Sequence, residues 1–422
     1  MSEQEMKNHG WQVTFAGMGI NLALGILYTW SVISKGIPED WGWTQSDKSM
    51  PYAVACLVFS LIMVPAGRMQ DKLSPRLVAT LGGMLVGVGM IMASRTTSSM
   101  GFMIGFGIFA GAGIGFGYAS ATPPAVKWFP KSKTGMIAGI VVSGFGLALA
   151  YAAPLCTWMI EKFGLQDTVM YLGIAFLIVV CGLAQLLKAP PAGYVPDGSS
   201  SNAAAGSAAI KEDFTPGEML KTWQFYAVWF MYACGAGAGL MIISVAKKIL
   251  GTSITASIDD KSLVATLTTV ALIAMAVGNG GGRIIAGTAS DKLGRNLTLF
   301  MFLVCQAVVL VLLSQAKEGS VLASPAFLIV VAAIVGANYG SNLALFPSIT
   351  KDFYGLKNFG VNYGCVFTAW GVGGFMLAKL AGVMYDKTHS FNFAYFTAAG
   401  LLVVAALMVF FVKRPASTVK TA

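Results

Sequence analysis

Arg283 closes a glycine-rich run, Gly278-Asn279-Gly280-Gly281-Gly282-Arg283, inside a long apolar segment. Apart from Lys379, every other formal charge in the 422 residues can be placed in a loop, a tail or a helix end. A fixed cation within a membrane helix is costly and marks a functional site by default. Arginine keeps its proton, and its planar fork matches a carboxylate. The chemistry within reach is therefore the binding of a small organic anion inside the bilayer. Asn279 lies one turn before Arg283, so both share a helix face. Its amide can bond either the guanidinium or the anion. By position alone a second reading stands beside this one: Arg283 lies toward one end of its span, from which the side chain can snorkel to the headgroups.

The elements that must hold these residues are membrane helices. Hydrophobic residues make up 56% of the chain and charged ones 11%, far below the roughly 25% of soluble domains. Twelve apolar stretches of spanning length follow one another, at 11–34, 50–67, 77–94, 101–126, 135–160, 168–187, 222–247, 262–286, 296–315, 325–350, 360–384 and 392–412. Each is near the roughly 20 residues a spanning helix needs. The expected fold class is an all-α membrane protein. The first ten residues carry no cleavage pattern and read as a retained tail. The six cysteines fall singly within spans, which suggests core residues and neither disulfides nor a metal site.

The net charge of +10 invites a nucleic-acid partner, but topology accounts for it better. With the N-terminus in the cytoplasm, seventeen Lys and Arg fall on that side and nine outside. Arg283 and Lys379 complete the 28. That excess follows the positive-inside rule and predicts a multi-pass protein of the inner (plasma) membrane with both termini cytoplasmic.

Residues 189–211, rich in Pro, Ser and Ala, read as a flexible linker between six spans and six, giving halves at 1–188 and 212–422. The halves repeat a signature. Ala66-Gly67-Arg68-Met69-Gln70-Asp71-Lys72-Leu73, followed by Arg76, recurs as Ala286-Gly287-Thr288-Ala289-Ser290-Asp291-Lys292-Leu293, followed by Arg295, with Gly, Asp, Lys and Leu offset by 220. Parallel halves of this kind mark many secondary transporters, whose sites lie near the midplane between them. The doubled G-x-x-x-D-K-L-x-R loop resembles the hallmark of the major facilitator superfamily. The resemblance implies two pseudo-symmetric six-helix bundles. It also implies that Asp71 and Asp291 meet neighbouring helix ends and basic residues, stabilise the outward-facing state and gate without binding substrate.

Further strings are similar to the oxalate/formate antiporter family, close to the monocarboxylate transporters. They are Gly25-Ile26-Leu27-Tyr28-Thr29-Trp30, Trp128-Phe129-Pro130, Asp213-Phe214-Thr215-Pro216-Gly217-Glu218, Ala344-Leu345-Phe346-Pro347-Ser348 and Asn362-Tyr363-Gly364. They run collinearly along nearly the whole chain. The family string N-G-G-x-R falls on Asn279 to Arg283, and implies that Arg283 binds a substrate carboxylate. One departure matters more. The family's oxalate exchangers carry a second cation eight residues beyond the Asn of N-Y-G, and here that residue is Trp370. Lys379 lies nine residues further along, roughly 13 Å away on a helix. A dianion held by one cation would bury uncompensated charge. One Arg for one carboxylate favours a monocarboxylate such as lactate, pyruvate, formate or glycolate over oxalate.

Tyr28, Tyr118 and Tyr339 match or replace aromatic cavity residues of that family, and Phe367 and Trp370 take the corresponding face of the eleventh span. Each can equally serve packing or an interfacial belt. The glycines beside Arg283 leave room either for a ligand or for a close helix neighbour. Asn338 and Asn342 flank Tyr339 as site residues or interhelical bonds. The close monocarboxylate transporters place an Asp one turn before the Arg, where this chain has Asn279, and no Asp or Glu falls inside the expected spans. Proton-linked monocarboxylate symport is expected, with anion antiport as the rival. No cofactor or catalytic constellation is indicated, and the family suggests a monomer that contacts only substrate, protons and lipid.

Overall fold

The longest helix, Thr134–Ala184, has 51 residues. Unbroken, it would reach about 75 Å, more than twice the roughly 30 Å of a bilayer core. In this computed structural model it folds back at Gly164, whose φ of 79° suits glycine alone without strain. It thus supplies two passes, α5 before Gly164 and α6 after it. The structure describes residues 8–130, 134–191, 194, 213–255, 258, 260–316, 320–355 and 358–415, with the side chains of 71, 72, 134 and 135 outside that description. The remaining helices are α1 (Gly10–Lys35), α2 (Gln45–Lys72), α3 (Pro75–Ser94), α4 (Ser99–Val126), α7 (Trp223–Thr255), α8 (Lys261–Leu293), α9 (Arg295–Ser314), α10 (Pro325–Tyr354), α11 (Phe359–Thr388) and α12 (Asn392–Met408). Twelve passes result, and no strand occurs among the described residues. The expected linker lies outside the described residues except at 189–191 and 194.

Local signals set the helix ends. Thr44 and Asp47 form a capping box at the start of α2. Ser74 caps α3 ahead of Pro75 at its first position. Asp260 accepts from Ser262 and Leu263 to begin α8. Two passes change their winding: α1 tightens to a 3-10 stretch at Gly25–Thr29, and α4 contains a π-helical stretch at Met103–Ala110.

The face bearing the repeated loops, here the motif face, lies opposite the face bearing residues 36–44 and 389–391. The halves meet along α2 and α11, where Gly371 lies against Ser60 and Gly382 against Ser49, and along α5 and α8. On the opposite face they are joined by polar contacts. Lys247 donates to Thr157 at 2.9 Å, and Lys248 donates to Gln45 Oε1 at 2.7 Å while sitting 3.6 Å from the centre of the Tyr385 ring. The backbone N–H groups of Gln45 and Ser46 donate to Asp386 at 2.7 and 2.8 Å.

These contacts correct the expected placing of charge at helix ends. α7 runs to Thr255, past the expected end at 247, so Lys247 and Lys248 lie within a helix and not at its end or in a loop. α11 runs to Thr388, which puts Asp386 in its last turn, beyond the expected span 360–384. The pairing is the physical reason: each charge has a polar or aromatic partner across the interface, so the helices can extend through them.

Candidate functional site

Arg283 projects from α8 toward α5 of the other half. Its Nη1 donates to the Val142 carbonyl at 2.8 Å. Nε and Nη2 donate to Asn279 Oδ1 at 3.4 and 3.2 Å. Asn279 thus faces the guanidinium, one of the two partners open to it. The guanidinium is not snorkelling to a headgroup; it bridges two helices. Gly146 makes this approach possible, since a Cβ there would stand 3.2 Å from Nη2. Both ion pairs among the described residues belong to Arg295, so no described carboxylate neutralises Arg283. Five N–H groups belong to a guanidinium. Three are engaged, leaving one on each Nη for an anion.

The aromatic candidates converge beside this cation. Tyr28 of α1 and Tyr339 of α10 bond through their hydroxyls across the two halves, and Trp370 Nε1 donates to the Tyr339 hydroxyl at 2.8 Å. Phe367 stacks on Trp370 at 5.2 Å and lies 6.3 Å from Tyr118 of α4, ring centre to ring centre. Tyr28, Tyr339, Phe367 and Trp370 are all within 2% of full burial. Two residues absent from the sequence expectation complete the centre. Phe59 of α2 lies 5.0 Å from Trp370 and 5.4 Å from Tyr118. Phe145 of α5 lies 4.9 Å from Tyr28 and 5.3 Å from Tyr118. Phe145 sits between glycines and adjoins Gly146, so it joins the aromatic group to the Arg283 contact. A bulky ring flanked by Gly144 and Gly146 was the signal available in the sequence.

The glycines of the Arg283 run act mainly in packing. A Cβ on Gly278 would collide with the Ala333 carbonyl, and one on Gly282 with that of Ala337, both on α10. Gly336 and Gly340 return the contact against Met275 and Asn279. Gly281 alone of the run faces open space. Asn338 and Asn342 are buried, and Asn342 donates back to its own helix while pressing on Gly235 of α7. Lys379 is exposed near Phe375 and takes no part in the centre.

In the second repeated loop, Arg295 pairs with Asp291 at 2.8 Å and with Asp352 at 3.2 Å, tying the motif-face ends of α8, α9 and α10. Asp352 was not anticipated. Gly287 has open space around it, and Lys292 is exposed. In the first loop, Gly67 likewise has open space, Arg76 is half-buried at the start of α3, and the side chains of Asp71 and Lys72 lie outside the described residues. Other family-like strings are structural: Asn358 and Asn362 each donate to the Phe214 carbonyl at 3.0 Å, and Trp128 donates to the Lys188 carbonyl at 2.8 Å.

A family model described as Major Facilitator Superfamily matches residues 13–317 and 236–422. The chain belongs to the major facilitator superfamily. It is a multi-pass membrane transporter and not an enzyme. Among its relatives, the oxalate:formate antiporter of Oxalobacter formigenes is 27% identical over 94% of this chain and 90% of its own length. Monocarboxylate transporter 11 of Mus musculus is 21% identical over 93% and 85%. A bacterial homologue of the human lysosomal transporter Spinster shares the fold, with a TM-score of 0.66 over 98% of each chain at 15% identity.

Proposed function

We propose that this facilitator carries small monocarboxylates, of the lactate and pyruvate type, together with a proton by alternating access. The observation that carries the reading is the guanidinium of Arg283, which no described carboxylate neutralises, with a donor left on each Nη, at the contact between the halves. Its neighbours are aromatic, and the position that would supply a second cation is occupied by Trp370. One cation seats one carboxylate, and the aromatic groups suit a short carbon chain. Two relatives are named for transporting monocarboxylates or exchanging oxalate and formate, which agrees with a small-carboxylate class.

In this reading the halves 1–188 and 212–422 rock about the site, joined by 189–211. The motif face is cytoplasmic in the inner (plasma) membrane, with both termini on that side and the chain acting as a monomer. Arg283 and Asn279 bind the carboxylate. Tyr28, Tyr118, Tyr339, Phe367 and Trp370 enclose the remainder. The repeated loops, through Gly67, Asp71, Lys72 and Arg76 and through Gly287, Asp291, Lys292 and Arg295, gate the motif face. Proton co-transport is favoured because uptake of one anion against −100 mV opposes about 2.3 kcal/mol, which a co-moving proton removes.

Uptake of labelled lactate into proteoliposomes is the test. Acceleration by an inward proton gradient, with no internal anion, is expected, and Arg283→Gln should abolish it while leaving a monodisperse protein. Strict dependence on preloaded anion would replace symport by oxalate/formate-type exchange. Near-normal uptake by the Arg283 variant would remove the carboxylate anchor altogether.

A further inference from the structure

A cavity of about 490 Å³ opens on the motif face of the N-terminal half, away from Arg283. Its polar lining is Gln70, Ser74, Arg76, Lys127 and Lys188, with Leu73 at the edge. The ends of α2, α4 and α6 and the start of α3 therefore bring together three cations and no described carboxylate. Neither ion pair among the described residues involves them.

Gln70 adds an independent indication. It is 7% exposed, lines the cavity and makes no hydrogen bond with a described residue. Its amide atoms are open to the cavity and not enclosed in the core, so they are available to a ligand. The start of α3 contributes the positive end of a 20-residue helix, which favours an anion. Leu73 and Leu77, close by, are 59% and 61% exposed and offer an apolar border. A cationic recess with a hydrogen-bonding floor and an apolar border matches a phosphate group carried on an acyl chain. Basic pockets at helix ends next to one leaflet bind anionic headgroups in this way.

We propose that this cavity binds a phosphate group, with Arg76, Lys127 and Lys188 as its cations and Gln70 as its hydrogen-bonding partner, and that an anionic phospholipid headgroup supplies it. The proposal is independent of the transported substrate. Native mass spectrometry of the full chain would test it with phosphatidylglycerol, phosphatidylcholine and inorganic phosphate added separately. Wild type should retain phosphatidylglycerol over phosphatidylcholine. Lys127→Gln with Lys188→Gln should weaken that retention about 30-fold, from about fivefold per lysine. Both lysines are exposed, so the variant's melting temperature in detergent serves as a folding control. Binding of inorganic phosphate that displaces phosphatidylglycerol would keep the phosphate site and assign a soluble source as well. Equal retention of the two lipids, or a preference that survives the double substitution, would overturn the proposal.

Discussion

Asn279→Asp changes the site by one atom's charge while keeping its shape. Asn279 Oδ1 already accepts from Arg283 at 3.4 and 3.2 Å. The aspartate would retain both bonds and place a full negative charge at the same distance. At an effective dielectric of about 20, unit charges roughly 3.3 Å apart attract by about 5 kcal/mol. The guanidinium would then be neutralised before substrate arrives. Allowing for screening, about 3–4 kcal/mol of carboxylate attraction should be lost, a weakening of about 10²–10³-fold. The pH dependence follows in sign. The cation beside it favours the ionised aspartate, so the block holds at neutral pH and lifts as acid protonates it. Isothermal titration of the purified variant with lactate at neutral and acidic pH would measure both effects. Unchanged affinity at neutral pH, or affinity that falls further in acid, would refute the assignment of Arg283 as the anchor.

Other outcomes follow from the packing and the interface. Gly278→Ala should lower the melting temperature by several degrees, because its Cβ meets the Ala333 carbonyl and overpacking costs about 1–3 kcal/mol; Gly281→Ala, facing open space, should leave it nearly unchanged. Asp386→Asn weakens a carboxylate that accepts from two backbone N–H groups, and should shift the population toward separation of that face by about tenfold or more. Pulsed electron resonance between labels at Asp40 and Lys387, in a background with the six native cysteines replaced, would read that shift. Trp370→Lys restores a second cation beside the aromatic residues, and oxalate should then compete with lactate; unchanged competition would count against the one-cation argument.

The sequence made the twelve passes and the repeated loops legible because both depend on apolar length and local pattern. The meeting of Arg283, Tyr28, Tyr118, Tyr339, Phe367 and Trp370 was legible through aligned strings, not through spacing, since these residues lie on five different helices. Three features were hidden for physical reasons. The Val142 carbonyl is backbone and has no residue signature. Phe59 and Phe145 look like any other apolar side chain in a membrane helix. Asp386, Lys247 and Lys248 read as loop or helix-end charges until their partners across the interface are placed. The glycines of the Arg283 run show the converse: two roles were open, and only the position of α10 assigns Gly278 and Gly282 to packing.

On the proposed function, Arg283 joins binding to rearrangement because one of its donors is spent on the other half. The Val142 carbonyl is accessible because the residue one turn later is Gly146. A larger side chain there would lean back over that carbonyl. An empty carrier that rocks must break the Arg283–Val142 bond and move a bare guanidinium through an apolar centre. A loaded carrier moves a guanidinium–carboxylate pair, with the proton as its remaining charge, and keeps its donors occupied. The loaded transition is therefore the less costly one. On the proposed function, labelled-for-unlabelled lactate exchange should outrun net uptake. Gly146→Ala should slow both, by pressing its Cβ against Nη2 and displacing the guanidinium from its partners.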